Sequence, residues 1–526
     1  MHVPLLLTDF LDRAVELYGE KVAIIGDDRI LTYRQLNGRV NQLSRGLQSL
    51  GVEKGDKVAY LAPNTAEMLE GFYGVFQVGG IMTPLNTRLK ATDYHFILEH
   101  SESKVLLVDQ ELYPLVAEVI PKLEQLQHVI IHGSGDDTYL SYESWLSSFS
   151  DAPFIRIELE ETDISSLLYT SGTTGNPKGV LLSHRSNYLH ALSAMHHLRV
   201  NDQDTLLHVL PMFHVNGWGS PFYYTANGAT QVMLRQTDPH LILEKIRKHN
   251  VSVLHMAPTV LNMVLEAFEK EKPDIKQDVR VVIAGSAPPA AFVKKVEENI
   301  GWKFIQVYGM TEISPLITTS ELRSMDLQVS PEETYRLKAK AGYAMIGSKV
   351  KVVDELGSEV PKDAKTIGEI ITRTNGVMEG YYKNPEATNA AIRNGWLHTG
   401  DMAVVDQSGN IEIVDRKKDV IISGGENISS IEVEGILYEH PSVLEAAVVS
   451  IPHEKWGEVP HAVVVLREDE VATEDEIITY CREKLAHFKA PKSISFSEEL
   501  PKTASGKIQK VVIRKSFWKD QNRLVN

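Results

Sequence analysis

Three short apolar runs, "KVAYLAP" (57–63), "KVLLVD" (104–109) and "HVIIHG" (128–133), punctuate the first 130 residues. A strand that is apolar on both faces must be covered on both, so such runs point to a buried, largely parallel sheet flanked by helices. The stretch "LTYRQLNGRVNQLSRGLQSLG" reads as one of those helices. Thr32 and Gln35 have capping-box spacing, Leu36, Val40, Leu43, Leu47 and Leu50 share one face, and Gly51 stands at the stop. The expected fold class is therefore α/β.

The texture changes twice further on. Near residue 340, "GSKVKVVDELGSEV" and "TIGEIITRTNGVMEGYY" are rich in Val, Ile, Thr and Gly, which predicts strands joined by tight turns. After residue 415 comes a smaller α+β unit, with "LEAAVVSIP" and "HAVVVLRE" as strands. Its helix opens at Thr473 and Glu476, with Ile477, Cys481 and Leu485 on one face. A chain of 526 residues with 43% hydrophobic content can bury more than one core, and at least two domains are expected.

Charge and cysteine usage exclude some classes. A net charge of −16 makes a nucleic-acid surface a poor expectation, so an anionic ligand has to be held by local donors. The single cysteine, Cys481, rules out an intramolecular disulfide and fits a reducing compartment. The N-terminal stretch lacks a basic segment and carries Asp9 and Asp12, unlike a signal peptide, and no uncharged apolar run reaches the roughly 18 residues of a spanning helix. A cytoplasmic location is expected, with no integral membrane segment, while weak peripheral membrane association and a homodimer stay open.

The segment "LLYTSGTTGNPKGVLLSH" (167–184) carries the chemistry. Small residues let backbone N–H groups approach a phosphate, hydroxyls donate to its oxygens and Lys178 adds charge; the bland alternative is a flexible surface turn. A Walker A loop would need Lys followed by Ser or Thr after its second Gly. Here the sixth residue from Gly172 is Pro177, and Gly179 follows Lys178, so that pattern fails. The order Tyr-Thr-Ser-Gly-Thr-Thr-Gly-x-Pro-Lys-Gly resembles instead the phosphate loop of the adenylate-forming superfamily: acyl-CoA synthetases, luciferases and peptide-synthetase adenylation domains. "PMFHVNGWG" (211–219), "AGSAP" (284–288), "QVYGMTE" (306–312), "WLHTGD" (396–401), "DRKKDVIISGGENIS" (415–429) and "PKTASGKIQK" (501–510) follow in that family's order.

The resemblance implies a large N-terminal domain of stacked α/β layers with a β-rich subdomain (1–415), and a small α+β C-terminal domain on a hinge (416–526). It implies ATP-dependent conversion of a carboxylic acid to acyl-AMP, then transfer to CoA to give acyl-CoA, AMP and pyrophosphate. ATP, Mg²⁺ and CoA would be the cofactors and co-substrates, and a small carboxylic acid the partner. A luciferase-like oxidation of the adenylate, a free-standing ligase loading a carrier protein, and a non-catalytic AMP-binding protein are the alternatives. Intact Lys178, Glu312, Asp401 and Lys507 speak against the last.

Site roles carry over by position. Lys507 resembles the lysine that bridges the carboxylate and the α-phosphate. Thr170 and Glu312 resemble Mg²⁺ ligands, and Thr311 a donor to the α-phosphate. Ser171, Gly172, Thr173, Thr174, Gly175 and Lys178 would hold the phosphates. Tyr308 and the adjoining Gly309 would lie against adenine, its polar edge met around Gly285 and Ser286, with Asp401 on the ribose and Arg416 close by. Lys418 stands at the hinge, and Gly424 and Gly425 would pass the pantetheine arm of CoA. Asp415 departs from the Gly that many relatives have before this Arg. His214 would border the carboxylate, Trp218 stands at a gate position, and Gly309 replaces the Trp that closes the pocket of acetate enzymes. Together these three favour a medium- or long-chain fatty acid, with branched, sulfur-containing and aromatic acids open.

Overall fold

The computed structural model describes residues 2–133, 138–170, 176–285, 288–424, 426–503 and 508–518. The first apolar runs do form adjacent strands. Lys57–Leu61 lies between Ile81–Pro84 and Ser103–Asp109, all parallel, and His128–His132 follows. Ile164–Thr170 pairs parallel with Ile81–Pro84 and turns back antiparallel as Lys178–Ser183, which pairs with the short strand Gly380–Tyr381. These belong to an eight-stranded sheet among the described residues. The expected helix spans Tyr33–Ser49 with both halves of the Thr32/Gln35 capping box made, and it buries Leu36, Val40, Leu43 and Leu47.

A second, nine-stranded sheet runs Arg280–Ile283 parallel to Lys303–Gly309, then reverses into Leu316–Thr319. One hydrophobic core, including Phe72, Phe76, Phe222 and Met212, packs against residues of both sheets. The β-rich part begins where the sequence changes texture. Ser348–Val353, Gly368–Thr374, Trp396–Val405 and Ile411–Arg416 pair in antiparallel succession. The stacked α/β layers, the β-rich subdomain and a small C-terminal α+β unit are thus all present, as is a buried Cys481 in the small unit's core with Val433, Leu437 and Ile477.

Chain connectivity switches sheets over a few residues: Arg416 still pairs with Asp401, whereas Ile421–Ser423 already pairs with Glu426–Ile428 in the small unit. That unit also encloses an ion pair, Lys510 Nζ to Glu434 Oε1 at 2.7 Å. Burial pushes the Glu434 carboxyl up to about 7, with the Lys510 ammonium pulling the other way. An ordinary glutamate titrates near 4.5. Between those values the folded chain keeps a proton the unfolded chain has released, so this group's contribution to stability is greatest in acid and declines as pH rises towards 7. The thermal midpoint of the native chain relative to Glu434→Gln should therefore fall between pH 5 and 7. Parallel curves for the two proteins would contradict it.

Candidate active site

Three sheets bring the predicted nucleotide residues to one place. Thr170 ends one strand and faces Lys178 across the hairpin, its hydroxyl donating to the Lys178 carbonyl at 3.4 Å. Lys178 Nζ stands 5.0 Å over the Tyr381 ring, whose hydroxyl donates to Glu312 Oε1 at 2.8 Å. Glu312 sits in the short turn Thr311–Ile313 at the end of the strand Lys303–Gly309, and both Thr311 and Glu312 are buried. Burial raises the Glu312 carboxyl above its ordinary range, opposed by the Tyr381 hydroxyl and by the charges of Arg416 and Lys178. A buried carboxylate facing two cations at some distance is suited to a further positive ligand.

Tyr308, Asp401 and Arg416 form the second group. The Tyr308 hydroxyl donates to Asp401 Oδ2 at 2.7 Å, and Arg416 Nε lies 3.3 Å from Asp401 Oδ1. Asp401 and Arg416 are opposed in register on neighbouring strands, so sheet geometry alone pairs them. Each carboxylate oxygen has a second lone-pair direction, which leaves Asp401 able to accept from sugar hydroxyls. Gly285 follows the strand Arg280–Ile283 with φ +110°, and among the described residues no non-adjacent atom lies within 4 Å of where its side chain would begin. Ser171, Gly172, Thr173, Thr174, Gly175, Ser286, Gly425 and Lys507 lie outside the described residues.

The predicted acyl residues behave less simply. His214 is half-buried and precedes five consecutive residues of positive φ, Val215 (46°), Asn216 (46°), Gly217 (58°), Trp218 (59°) and Gly219 (77°). Such a left-handed turn costs roughly 1–2 kcal/mol for each residue with a Cβ, so its surroundings must hold it. Asn216 Nδ2 donates to Ser166 Oγ at 3.0 Å, and Trp218 stacks on His255 with ring centroids 5.9 Å apart. Trp218 is therefore buried against the core. Gly309 does not read as an opening: a Cβ there would come within 1.7 Å of the Pro315 carbonyl oxygen. Its small size answers to the backbone, which removes the argument that its missing side chain lengthens the acyl pocket.

Three further residues were undervalued by sequence reasoning. Asp415, which departs from the Gly that many relatives have before this Arg, is engaged at both oxygens, its Oδ1 accepting from Arg416 N at 2.8 Å and its Oδ2 from Ser430 N at 2.6 Å. Tyr381 went unnoticed because only the pairing of Gly380–Tyr381 with Lys178–Ser183 brings it to Glu312. Trp456 was missed likewise; its carbonyl accepts from Gly424 N at 2.9 Å, and its ring lies 2.6 Å from where a Gly424 Cβ would stand.

Comparison with known proteins agrees with this geometry. Residues 11–382 match the model of the AMP-binding enzyme family, and residues 432–507 match the AMP-binding enzyme C-terminal domain. The chain belongs to the AMP-binding enzyme family. It is 40% identical to the peroxisomal butyrate–CoA ligase AAE11 of Arabidopsis thaliana and 39% identical to the peroxisomal benzoate–CoA ligase of the same plant, over 98% of this chain and 93% of each relative. The crystal structure of the anthranilate CoA ligase AuaEII in complex with anthranoyl-AMP superposes with a TM-score of 0.90 at 29% identity, covering 98% of both chains. The chain is an AMP-forming acid–CoA ligase, working with ATP, Mg²⁺ and CoA. The cytoplasmic expectation is overturned, because both plant relatives are peroxisomal by name. Among the described residues no helix is long and apolar enough to cross a membrane.

Proposed function

We propose that this ligase activates a small carboxylic acid, short-chain or aromatic, rather than the medium- or long-chain fatty acid that Gly309 suggested. The observation that carries the reading is the pair of near-full-length relatives named for butyrate and benzoate. The solved relative that holds anthranoyl-AMP adds a third small acid. The packing of Trp218 on His255, with Tyr224 OH 3.2 Å from His255 Nε2, supports it by burying Trp218 among other rings.

Within that reaction the chain's own groups divide the work. Lys178 and Arg416 lower the repulsion between the acid and the triphosphate, and Lys507 bridges the attacking carboxylate and the α-phosphate. Asp401 holds the ribose, Tyr308 and Gly309 border adenine beside Gly285 and Ser286, and Thr311 donates to the α-phosphate. Ser171, Gly172, Thr173, Thr174 and Gly175 wrap the remaining phosphate oxygens. Glu312 and Thr170 supply oxygen ligands that fit Mg²⁺, which when bound neutralises phosphate charge. Among the described residues no group of three His, Cys, Asp or Glu side chains is placed to hold a metal ion, and Mg²⁺ in nucleotide sites ordinarily needs only one or two carboxylates besides phosphates and water. His214 borders the acyl carboxylate, and Trp218 the far wall.

For the second half-reaction the small domain, residues 416–526, turns about Lys418, in the interval where the chain leaves one sheet for the next. Gly424 and Gly425 then face the thiol arm, and Trp456 against Gly424 narrows its path. The test is ATP-dependent thioester formation with acetate, butyrate, benzoate and palmitate. Two buried methylenes are worth about 1.6 kcal/mol, so butyrate should exceed acetate by about fifteenfold in kcat/KM, with benzoate comparable to butyrate and palmitate far below both. A preference for palmitate would refute the small-acid reading.

A further inference from the structure

Lys418 divides the chain mechanically, and the contacts around it fall on two sides. Arg514, in the helix Lys510–Phe517, donates to the Lys418 carbonyl at 3.0 Å and to Asp419 Oδ1 at 2.7 Å. Rotation about the φ and ψ bonds of Lys418 carries its carbonyl along with everything after it, so these bonds survive the movement. They bolt the helix to the downstream side. The described residues on either side of 504–507 are tied together on the same body, since Gln509 N donates to the Pro501 carbonyl at 2.8 Å and Gln509 Nε2 to the Lys502 carbonyl at 3.0 Å.

Asp415 stands on the other side of the pivot, yet its partners lie beyond it. It is 1% exposed. Its Oδ2 accepts from both the backbone N and the hydroxyl of Ser430, each at 2.6 Å, at the start of the helix Ser430–Tyr438. The Ser430 hydroxyl in turn accepts from Lys510 Nζ at 2.6 Å, and Lys510 pairs with Glu434, whose carboxylate also accepts from Val448 N. Ser429 adds a parallel bond from its hydroxyl to the Val414 carbonyl. A buried carboxylate with two short donors, at a helix N-terminus and in reach of an ammonium, is strongly favoured in place and costly to strip of its partners. Turning the small domain about Lys418 must break these bonds, because donor and acceptor belong to different bodies.

We propose that Asp415 is a positioning residue for catalysis: a latch across the hinge that, through Ser430 and Lys510, holds the small domain in the orientation seen here. The proposal rests on Lys418 being the pivot. It gives a physical reason for Asp at a position where Gly is common, since Gly could make no such bond. An enzyme that uses two domain orientations for two half-reactions divides its time between them according to their relative free energies, and the latch weights one side.

The experiment measures the two half-reactions separately, pyrophosphate release on acyl-AMP formation and thioester formation from supplied acyl-AMP, in the native chain, Asp415→Asn, Ser430→Ala and Lys418→Pro. In Asp415→Asn an amide nitrogen faces donors, so the half-reaction that uses the present orientation should slow while the other is spared, shifting the ratio of the two rates at least tenfold. Ser430→Ala keeps the backbone N–H and should shift the ratio in the same sense by less; it decides the matter if Asp415→Asn fails to fold, as judged by its melting transition. A mere loss of packing would lower both rates by one factor. Equal losses, or an unchanged ratio in both variants, overturn the latch. If Lys418→Pro, which fixes φ at the pivot, shifts the ratio while the other two do not, the hinge stands and the latch falls. An unchanged ratio in all three removes the hinge as well.

Discussion

Lys507→Ala should slow acyl-AMP formation roughly 10²–10³-fold, the loss typical of removing one donor to charge that develops in a transition state. The reason is electrostatic. A carboxylate and a triphosphate repel each other, and the cations proposed to ease the approach are Lys178 over Tyr381, Arg416 beside Asp401 and the bridging Lys507. Thioester formation from supplied acyl-AMP has no such pair of anions to join and should stay within a few-fold of the native rate. Pyrophosphate release and thioester formation, followed separately, check the claim. A variant that loses both to the same extent would mean that Lys507 does not act on the first step alone.

Much of this site was legible because its residues come in local packets. The capping box at Thr32 and Gln35, the apolar strands and the strand-rich texture near residue 340 depend on neighbours within a few positions, and all of them form. Thr170 with Lys178, Tyr308 with Glu312, and Asp401 ahead of Arg416 each occupy a short segment that the family order identifies. What escaped depends on contacts between remote segments. Tyr381 meets Glu312 across 69 positions, and Asp415 meets Ser430 across 15, after the chain has left one sheet for the next. The left-handed turn after His214 was invisible for another reason: Val and Trp both disfavour positive φ, so local propensity argues against what the surrounding core imposes.

Gly309 shows how a correct residue can carry a wrong reason, and it sets the other large expected effect. From the sequence its missing side chain reads as room for an acyl tail. In the fold Gly309 pairs with Leu316 as the strand ends, and Met310 N donates to the Pro315 carbonyl at 2.9 Å. A Cβ at Gly309 would lie 1.7 Å from that carbonyl oxygen, 2.6 Å from its carbon and 2.9 Å from Leu316 Cα, all backbone atoms with no rotamer to yield. Gly309→Ala must therefore part the two strands. Tyr308 on one side and the Glu312 turn on the other move with them, and both are proposed nucleotide-site residues. Overpacking of this kind costs about 1–3 kcal/mol in ordinary cores, and a misplacement of about 1 Å at a reacting centre can cost about 10²-fold in rate. The alanine variant should melt several degrees lower and lose kcat/KM by about 10²-fold for acetate, butyrate and benzoate alike, since the damage falls on the nucleotide they share. A variant that melts like the native chain but changes its order of preference among acids would restore Gly309 to the pocket wall.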